Sequence, residues 1–274
     1  MAATIAELSS YYVTSPIWIL VICFLAGMGA GLGTGFAGMS AAAVISPMLI
    51  TFLGVPAYEA VGIALASDIL ASAVSAYIYK KNDNLDIKNG LVMMVSVLVV
   101  TVLASILARH VPNNTMSSAT TCMTMLLGLK FIVRPITTTK EMMGNKSQKR
   151  KIIESIICGI YIGFICGFIG AGGGMMMLLI LTSILGYELK TAVGTSVFIM
   201  TFTALSGSAS RFLVGGAEHY EILILCVVFT FLWARVAAIF ANKVDNKTLN
   251  RVTGIVLFVL GLAIFIVNLC RGNL

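Results

Sequence analysis

Apolar residues in this chain run in long blocks separated by short polar ones. The blocks fall at 17–37, 39–53, 57–79, 89–108, 116–134, 152–170, 171–185, 189–211, 220–241 and 249–269. A helix needs about 20 apolar residues to cross a hydrocarbon core, and most of the blocks meet that length. The blocks 39–53 and 171–185 do not, with 15 residues each. Each of these short blocks follows directly on a glycine-rich run. The pattern predicts two hairpins, 17–53 and 152–185, that either re-enter the membrane or cross it as a tight pair. Glycine suits both a sharp turn and a close backbone approach. Pro47 weakens a plain helix in the first short piece.

The two glycine-rich runs are copies of each other. The first reads Gly31-Leu-Gly-Thr-Gly35-Phe36-Ala-Gly38, and the second reads Gly163-Phe-Ile-Cys-Gly167-Phe168-Ile-Gly170 followed by Ala171-Gly172-Gly173-Gly174. The offset of 132 residues holds without a gap: Leu49 falls on Leu181, Gly54 on Gly186, and Ala60-Val61-Gly62 on Ala192-Val193-Gly194. A break repeated inside apolar segments points to a transporter binding site near the bilayer midplane. The division that follows is repeat 1 at 15–135, a basic linker at 136–151 and repeat 2 at 152–270, within one membrane domain spanning 1–274. Each half makes an odd number of crossings whether its hairpin spans or re-enters. Two similar halves of that kind must be inverted relative to each other. The expected fold class is therefore an all-α polytopic membrane protein. It has two inverted-topology repeats, each a glycine-broken hairpin followed by about three transmembrane helices.

Composition agrees. Charged residues are 11% of the chain, against about 25% in a soluble domain. The net charge of +7 reads as topology rather than as a nucleic-acid surface. Lys80, Lys81, Lys88, Arg134, Lys140, Lys146, Lys149, Arg150, Lys151, Lys190, Lys243, Lys247 and Arg251 fall in one set of loops. Only Arg109, Arg211 and Arg271 fall in the opposite set and the C-terminus. The positive-inside rule places the first set in the cytoplasm and both termini outside. No basic region precedes the first apolar block, so no cleaved signal peptide is expected. The six cysteines lie in or beside apolar runs without metal-site spacing and read as small packing residues.

The candidate chemistry lies at the breaks. A helix interrupted inside the membrane exposes backbone N–H groups at the start of the next piece, and these bind anions without a cationic side chain. The candidate donors are the backbone of Gly38, Met39 and Ser40 and of Gly172, Gly173 and Gly174, with Gly35 and Gly170 beside them. The alternative is that the glycines only allow close helix packing. Gly33-Thr-Gly35-Phe-Ala-Gly38 also fits a dinucleotide fingerprint, but no strand precedes it, so that match is rejected. Thr195 and Ser196 lie one turn into their span, where their hydroxyls either donate to an oxyanion or bond back to their own helix. Thr203, Ser206 and Ser210 continue that series, matched in kind by Ser67, Ser72 and Ser75.

Asp68 lies near the middle of its span, where a carboxylate is costly and signals function. It is a candidate for a coupling proton, or for a structural pair with Arg235 or Lys130. Its counterpart in the second half is Met200. Asp68, Ser72, Arg235 and Arg211 form the coupling and gating candidates, the two arginines as anion-attracting residues at the inner and outer mouths. His110 and His219 are expected at the outer surface as solvated groups. Two isolated histidines do not make a metal site, and no nucleophile–base pair is evident.

The doubled break, the Gly194-Thr195-Ser196-Val197 run with its degenerate copy Gly62-Ile-Ala-Leu65, and Leu249-Asn-Arg251-Val-Thr-Gly254 before the last block resemble the sulfite exporter TauE/SafE family of membrane transporters. The resemblance covers about residues 15–268 and departs in the first half, where Ile63-Ala64 replace Thr195-Ser196. It implies movement of sulfur-containing anions such as sulfite or organosulfonates. The reading that follows is a secondary transporter, an exporter, in the cell (plasma) membrane, working by alternating access with a coupled proton or cation. It has no enzymatic activity, cofactor, metal or nucleic-acid partner. The alternatives are an anion channel and a transporter of a non-sulfur organic anion.

Overall fold

The computed structural model describes residues 15–107, 148–169, 173–215 and 219–270. They form α1 (Pro16–Ala37), α2 (Ala42–Leu53), α3 (Ala57–Lys81), α4 (Ile87–Leu107), α5 (Gln148–Ile169), α6 (Gly173–Ser183), α7 (Leu189–Gly215), α8 (Tyr220–Lys243) and α9 (Asn246–Cys270). No strand occurs among the described residues. Four of these helices are long and apolar enough to cross a membrane: Pro16–Ala37, Tyr58–Lys81, Leu189–Ala209 and Tyr220–Lys243. The chain is an all-α polytopic membrane protein. The fifth block of the first half, 116–134, and linker residues 136–147 lie outside the described residues, while the expected linker's last four residues, 148–151, belong to the first turn of α5.

Helix ends follow local chemistry. Ser15 caps α1 by accepting from the Trp18 amide at 3.3 Å, and Pro16 follows as the first helical residue, where a missing N–H costs nothing. Gly54 and Gly186 close α2 and the helix that follows the second break with φ of +66° and +69°, a region side-chain-bearing residues avoid. The same bond closes both turns, Val55 N to Leu49 O at 3.3 Å and Tyr187 N to Leu181 O at 2.8 Å. These pairs are 132 residues apart, as are the bounds of α1 and α5. The offset read from side chains thus recurs in the backbone.

The first break is narrower than the glycine-rich run. The sequence expectation placed it across Gly31–Gly38, but α1 continues through Gly31, Gly33 and Gly35 and ends at Ala37. Helix formation wins because the missing side chains are used for contact. A β-carbon on Gly31 would lie 2.7 Å from Ala234 N, Thr230 O and Trp233 Cβ, and one on Gly35 would lie 2.5 Å from Ala237 Cβ. Gly159 and Gly163 on α5 meet α4 in the same way, at Ser96, Met93, Val97 and Val100. Small residues let transmembrane backbones approach closely.

The most extensive packing is α1 on α8, α4 on α5 and α3 on α7. Moving each helix to its counterpart at the 132 offset exchanges the first two pairs and leaves the third on itself. Gly62 against Arg211 and Gly194 against Tyr79 repeat this exchange within the α3–α7 contact. Contacts also set direction. Trp18 Nε1 donates to Phe52 O, and Glu59 meets His219, so the starts of α1, α3 and α8 share one face. Asn84 meets Asn242, and Asp86 meets Tyr187, so the end of α3 and the starts of α4 and α7 share the other. Counterparts α3 and α7 therefore run in opposite directions, as do α4 and α8. Large apolar side chains cover the outside: Leu91, Val95, Val99 and Leu103 form one exposed stripe on α4. That stripe suits lipid contact.

The α1–α8 contact leaves no room for a methyl group, so Gly31→Ala should destabilise the protein by about 1–3 kcal/mol through overpacking. Unfolding in detergent, followed by thermal shift, measures this. An unchanged midpoint would show that α1 and α8 separate more readily than the packing implies.

Candidate functional site

The start of α2 and the start of α6 meet inside the bundle. Gly38 takes up φ +58°, and the chain turns at residues 38–41 before α2 begins. A β-carbon on Gly174 would lie 2.6 Å from Gly38 O, 2.8 Å from Ser40 N and 2.6 Å from Met200 Sδ. A β-carbon on Gly38 would collide with Ser196 Oγ. Gly38, Met39, Ser40, Gly174 and Ser196 are all buried at this meeting point. Gly170 and Gly172 lie outside the described residues, and Gly173 is described as the first residue of α6. Gly35 stands one turn earlier, facing α8.

The hydrogen bonds revise which donors the first break offers. Gly38 N donates to Thr34 O at 2.9 Å and Met39 N to Gly33 O at 3.2 Å. These two amides, expected to face an anion, instead satisfy the last carbonyls of α1. Orphan carbonyls at a helix end inside lipid must find donors, and the nearest amides supply them. The Ala41 amide bonds Asp68, the Ala42 amide donates to Ser40 Oγ at 3.3 Å, and the Ala43 amide to Ser40 O at 3.1 Å. Among the described residues the Ser40 amide has no acceptor.

Asp68 lies against this start of α2. It is 1% exposed. Ser40 Oγ donates to its Oδ2 at 2.8 Å and Ser72 Oγ to its Oδ1 at 2.9 Å. Arg235 is exposed and does not pair with it, and Lys130 lies outside the described residues. The sequence singled out Ser40, Asp68 and Ser72 separately. That they form one cluster comes from α2 packing on α3.

Thr195 and Ser196 part company. Ser196 donates to Val193 O at 2.9 Å, the back-bond to its own helix, with its Oγ against Gly38. Thr195 faces α4, where its Oγ1 accepts from the Asp86 amide at 3.2 Å. The other hydroxyls mostly bond back to their helices: Ser67 to Ile63 O at 2.9 Å and Thr203 to Met200 O at 3.1 Å. Ser75 Oγ is buried without a partner among the described residues.

Two polar clusters, not foreseen from the sequence, tie the halves together at the two faces. At one, Asp86 caps α4 through the Asn89 amide at 3.1 Å, and its Oδ2 accepts from Asn89 Nδ2 at 2.7 Å and Tyr187 OH at 2.8 Å. Lys190 Nζ donates to Val244 O at 2.6 Å beside it. At the other face, Glu59 accepts from the His219 amide at 2.8 Å and contacts His219 Nδ1 at 2.9 Å. His219 is therefore paired rather than merely solvated, because the start of α8 packs beside the start of α3. His110 lies outside the described residues. Arg211 sits 4.9 Å from the Tyr58 ring centroid, a cation–π contact beside that pair. The Asp-x-x-Asn spacing of Asp86 and Asn89 is a helix-cap signal legible in sequence; the reach of Tyr187 across the two halves is not.

A helical bundle with broken helices meeting at a polar, glycine-lined centre is the architecture of a membrane transporter. The model of the Sulfite exporter TauE/SafE family matches residues 23–264, and the chain belongs to that family. It is similar to the Bacillus subtilis protein named Probable membrane transporter protein YdhB, 24% identical over 232 residues covering 85% of this chain and 93% of that one. It is also similar to Probable membrane transporter protein MJ0441 of Methanocaldococcus jannaschii, 27% identical over 209 residues covering 74% of each. The protein is a multi-pass membrane transporter and not an enzyme.

Burial, with the Asp86 carboxylate next in importance, raises the Tyr187 phenol well above its ordinary value. The unfolded chain releases that proton near pH 10 while the folded chain keeps it. The contribution to stability is therefore full below about pH 10 and lost as the pH rises further. Tyr187→Phe should remove that alkaline loss and cost about 1.5–3 kcal/mol at neutral pH, the range for a hydrogen bond to a charged group. Thermal-shift titration of both proteins tests this; identical alkaline limbs would mean Tyr187 titrates normally.

Proposed function

We propose that this chain is a secondary transporter, an exporter, of small sulfur-containing anions such as sulfite or organosulfonates, working by alternating access in the plasma membrane. The observation that carries the reading is the meeting of the two breaks, with Gly174 against Gly38 and Ser40. A sulfur oxyanion must lose its water at the midplane and needs several donors at once. The first amides of α6, from Gly173 and Gly174 onward, have no carbonyl one turn earlier in their own helix. Gly174 lies across from the Ser40 amide, and Ser196 lies against Gly38, so donors from both halves converge without a fixed cation. Gly170 and Gly172 belong to the same proposed set. Ser40 and Ser196 add donor hydroxyls when they turn from Asp68 Oδ2 and Val193 O, while Thr195 holds the start of α4 to α7. Arg211 and Arg235 attract the anion toward the two mouths. The sulfur class rests on the family's description.

The halves act as inverted repeats, 15–135 and 152–270, joined by a cytoplasmic linker at 136–151, with both termini extracytoplasmic. The opposite directions of α3 and α7, and of α4 and α8, support this. The clusters at Asp86–Tyr187 and Glu59–His219 then stand on opposite sides of the site, where each can close one exit.

In proteoliposomes loaded in turn with sulfite, sulfoacetate, taurine and thiosulfate, a pH gradient should drive concentrative flux of at least one sulfur anion. Flux that only dissipates the anion's own gradient would favour a channel. No flux of any of the four, with flux of acetate or succinate in parallel vesicles, would move the substrate to another class. Impermeant labelling of a single cysteine at position 146 should succeed only from the cytoplasmic side; labelling from outside would overturn the topology.

A further inference from the structure

We propose that Ser40 and Asp68 form a proton-operated donor switch, so that an anion gains the donors of the α2 start only when Asp68 carries a proton. This rests on the anion site proposed above and assigns its coupling. The argument is one of satisfiability. A serine hydroxyl has one proton and two lone pairs. Ser40 gives its proton to Asp68 Oδ2 at 2.8 Å and one lone pair to the Ala42 amide at 3.3 Å. The Ala41 amide is also held by Asp68. With the carboxylate ionised, the Ser40 amide is the one donor of this turn without an acceptor among the described residues. A second negative charge placed beside the carboxylate in a poorly solvated interior is also strongly repelled.

Protonation reverses the arrangement. One proton from solvent hydronium binds a lone pair of a carboxylate oxygen, leaving water, and no oxidation state changes. The new O–H donates to the remaining lone pair of Ser40 Oγ. The Ser40 proton is released and turns toward the break, where Gly174 closes on Ser40 N. Ser72 keeps Oδ1 in place. The proton and the anion then bind together or not at all.

Other titratable groups on the packed helices are engaged elsewhere. α3 packs on α1, α2, α7 and α8. Cys23 of α1 and Cys226 of α8 are hydrogen-bonded to each other, and α2 has no titratable residue. Lys190 and Arg211 lie toward the two ends of α7, one on Val244 O and one over Tyr58. On α8, Tyr220, Glu221 and Lys243 are terminal and Arg235 is exposed. Among the described residues only hydroxyls and an amide bond Asp68. The second half has Met200 at the equivalent place, so the switch exists once and one proton is expected per anion.

The test uses the full chain in proteoliposomes with methanesulfonate, a sulfonate of one fixed charge, and with sulfite. At clamped potential the wild type should accumulate methanesulfonate about tenfold per pH unit of gradient, the ratio for one proton per anion. Asp68→Asn should exchange the anion at all pH values and accumulate none. Ser40→Ala should lose several-fold in affinity at acid pH, and Ser40→Thr, which keeps the hydroxyl, should recover it. Wild-type accumulation by Asp68→Asn, or unchanged acid affinity in Ser40→Ala, would overturn the switch. A second measurement needs no substrate. The infrared band of the protonated carboxyl, absent in Asp68→Asn, should shift in Ser40→Ala because its acceptor is gone. An unmoved band overturns the switch. A wild type that moves neither anion counts against the transport reading, and the infrared arm then decides the switch on its own.

Discussion

The structure depends on one constraint: a helix that ends inside a bilayer must still satisfy its last carbonyls. The end of α1 meets it at four successive carbonyls, Gly33 to Phe36. Gly33 O and Thr34 O receive the amides of Met39 and Gly38. Gly35 O receives Tyr79 OH at 2.9 Å, and Phe36 O receives Thr253 Oγ1 at 3.1 Å. Each unmet carbonyl would cost several kcal/mol in hydrocarbon. The cap therefore draws α3 and α9 onto the end of α1. Tyr79 and Thr253 are fully buried for this reason. The break at 38–41 can then exist at depth and place Ser40 where it is.

The same constraint separates two uses of glycine that look alike in sequence. Gly27, Gly31 and Gly35 stay within a regular helix and give α8 a groove to lie in. Gly38 takes a left-handed conformation and ends the helix. Ladder glycines hold α1 and α8 together as a rigid pair, and their counterparts hold α5 and α4. The breaks carried by these pairs can then be brought to one point. The proposed backbone site needs such a frame, because backbone donors cannot adjust by rotating a side chain.

The two halves are alike in frame and unlike in chemistry. Asp68 stands at the start of α2 and Met200 at the start of α6. A carboxylate there supplies the acceptor that the N–H groups and the Ser40 hydroxyl need. A thioether is a weak acceptor and supplies little. The polar clusters differ similarly, with Asp86–Tyr187 at one face and Glu59–His219 at the other.

Much of the fold was legible in the chain itself. Apolar block lengths marked the helices, since crossing a fixed thickness demands a fixed length. The 132-residue offset, read from Gly54 and Gly186, returned as two matching turns with φ of +66° and +69°, a conformation that glycine takes up without the steric cost of a side chain. Membership of the TauE/SafE family was legible for the same reason, through the doubled break. What sequence did not determine was which groups each candidate meets. Gly31 and Gly38 have the same side chain, and only the position of α8 makes one a packing residue. Thr195 and Ser196 are adjacent, yet a helix turns neighbouring residues by about 100°, so one faces α4 and the other Gly38. Asp68, Ser40 and Ser72 become one cluster only because α2 folds back onto α3. Helix lengths and turns are local and can be read along the chain; partners are set by packing between distant segments, which the order of residues does not encode directly.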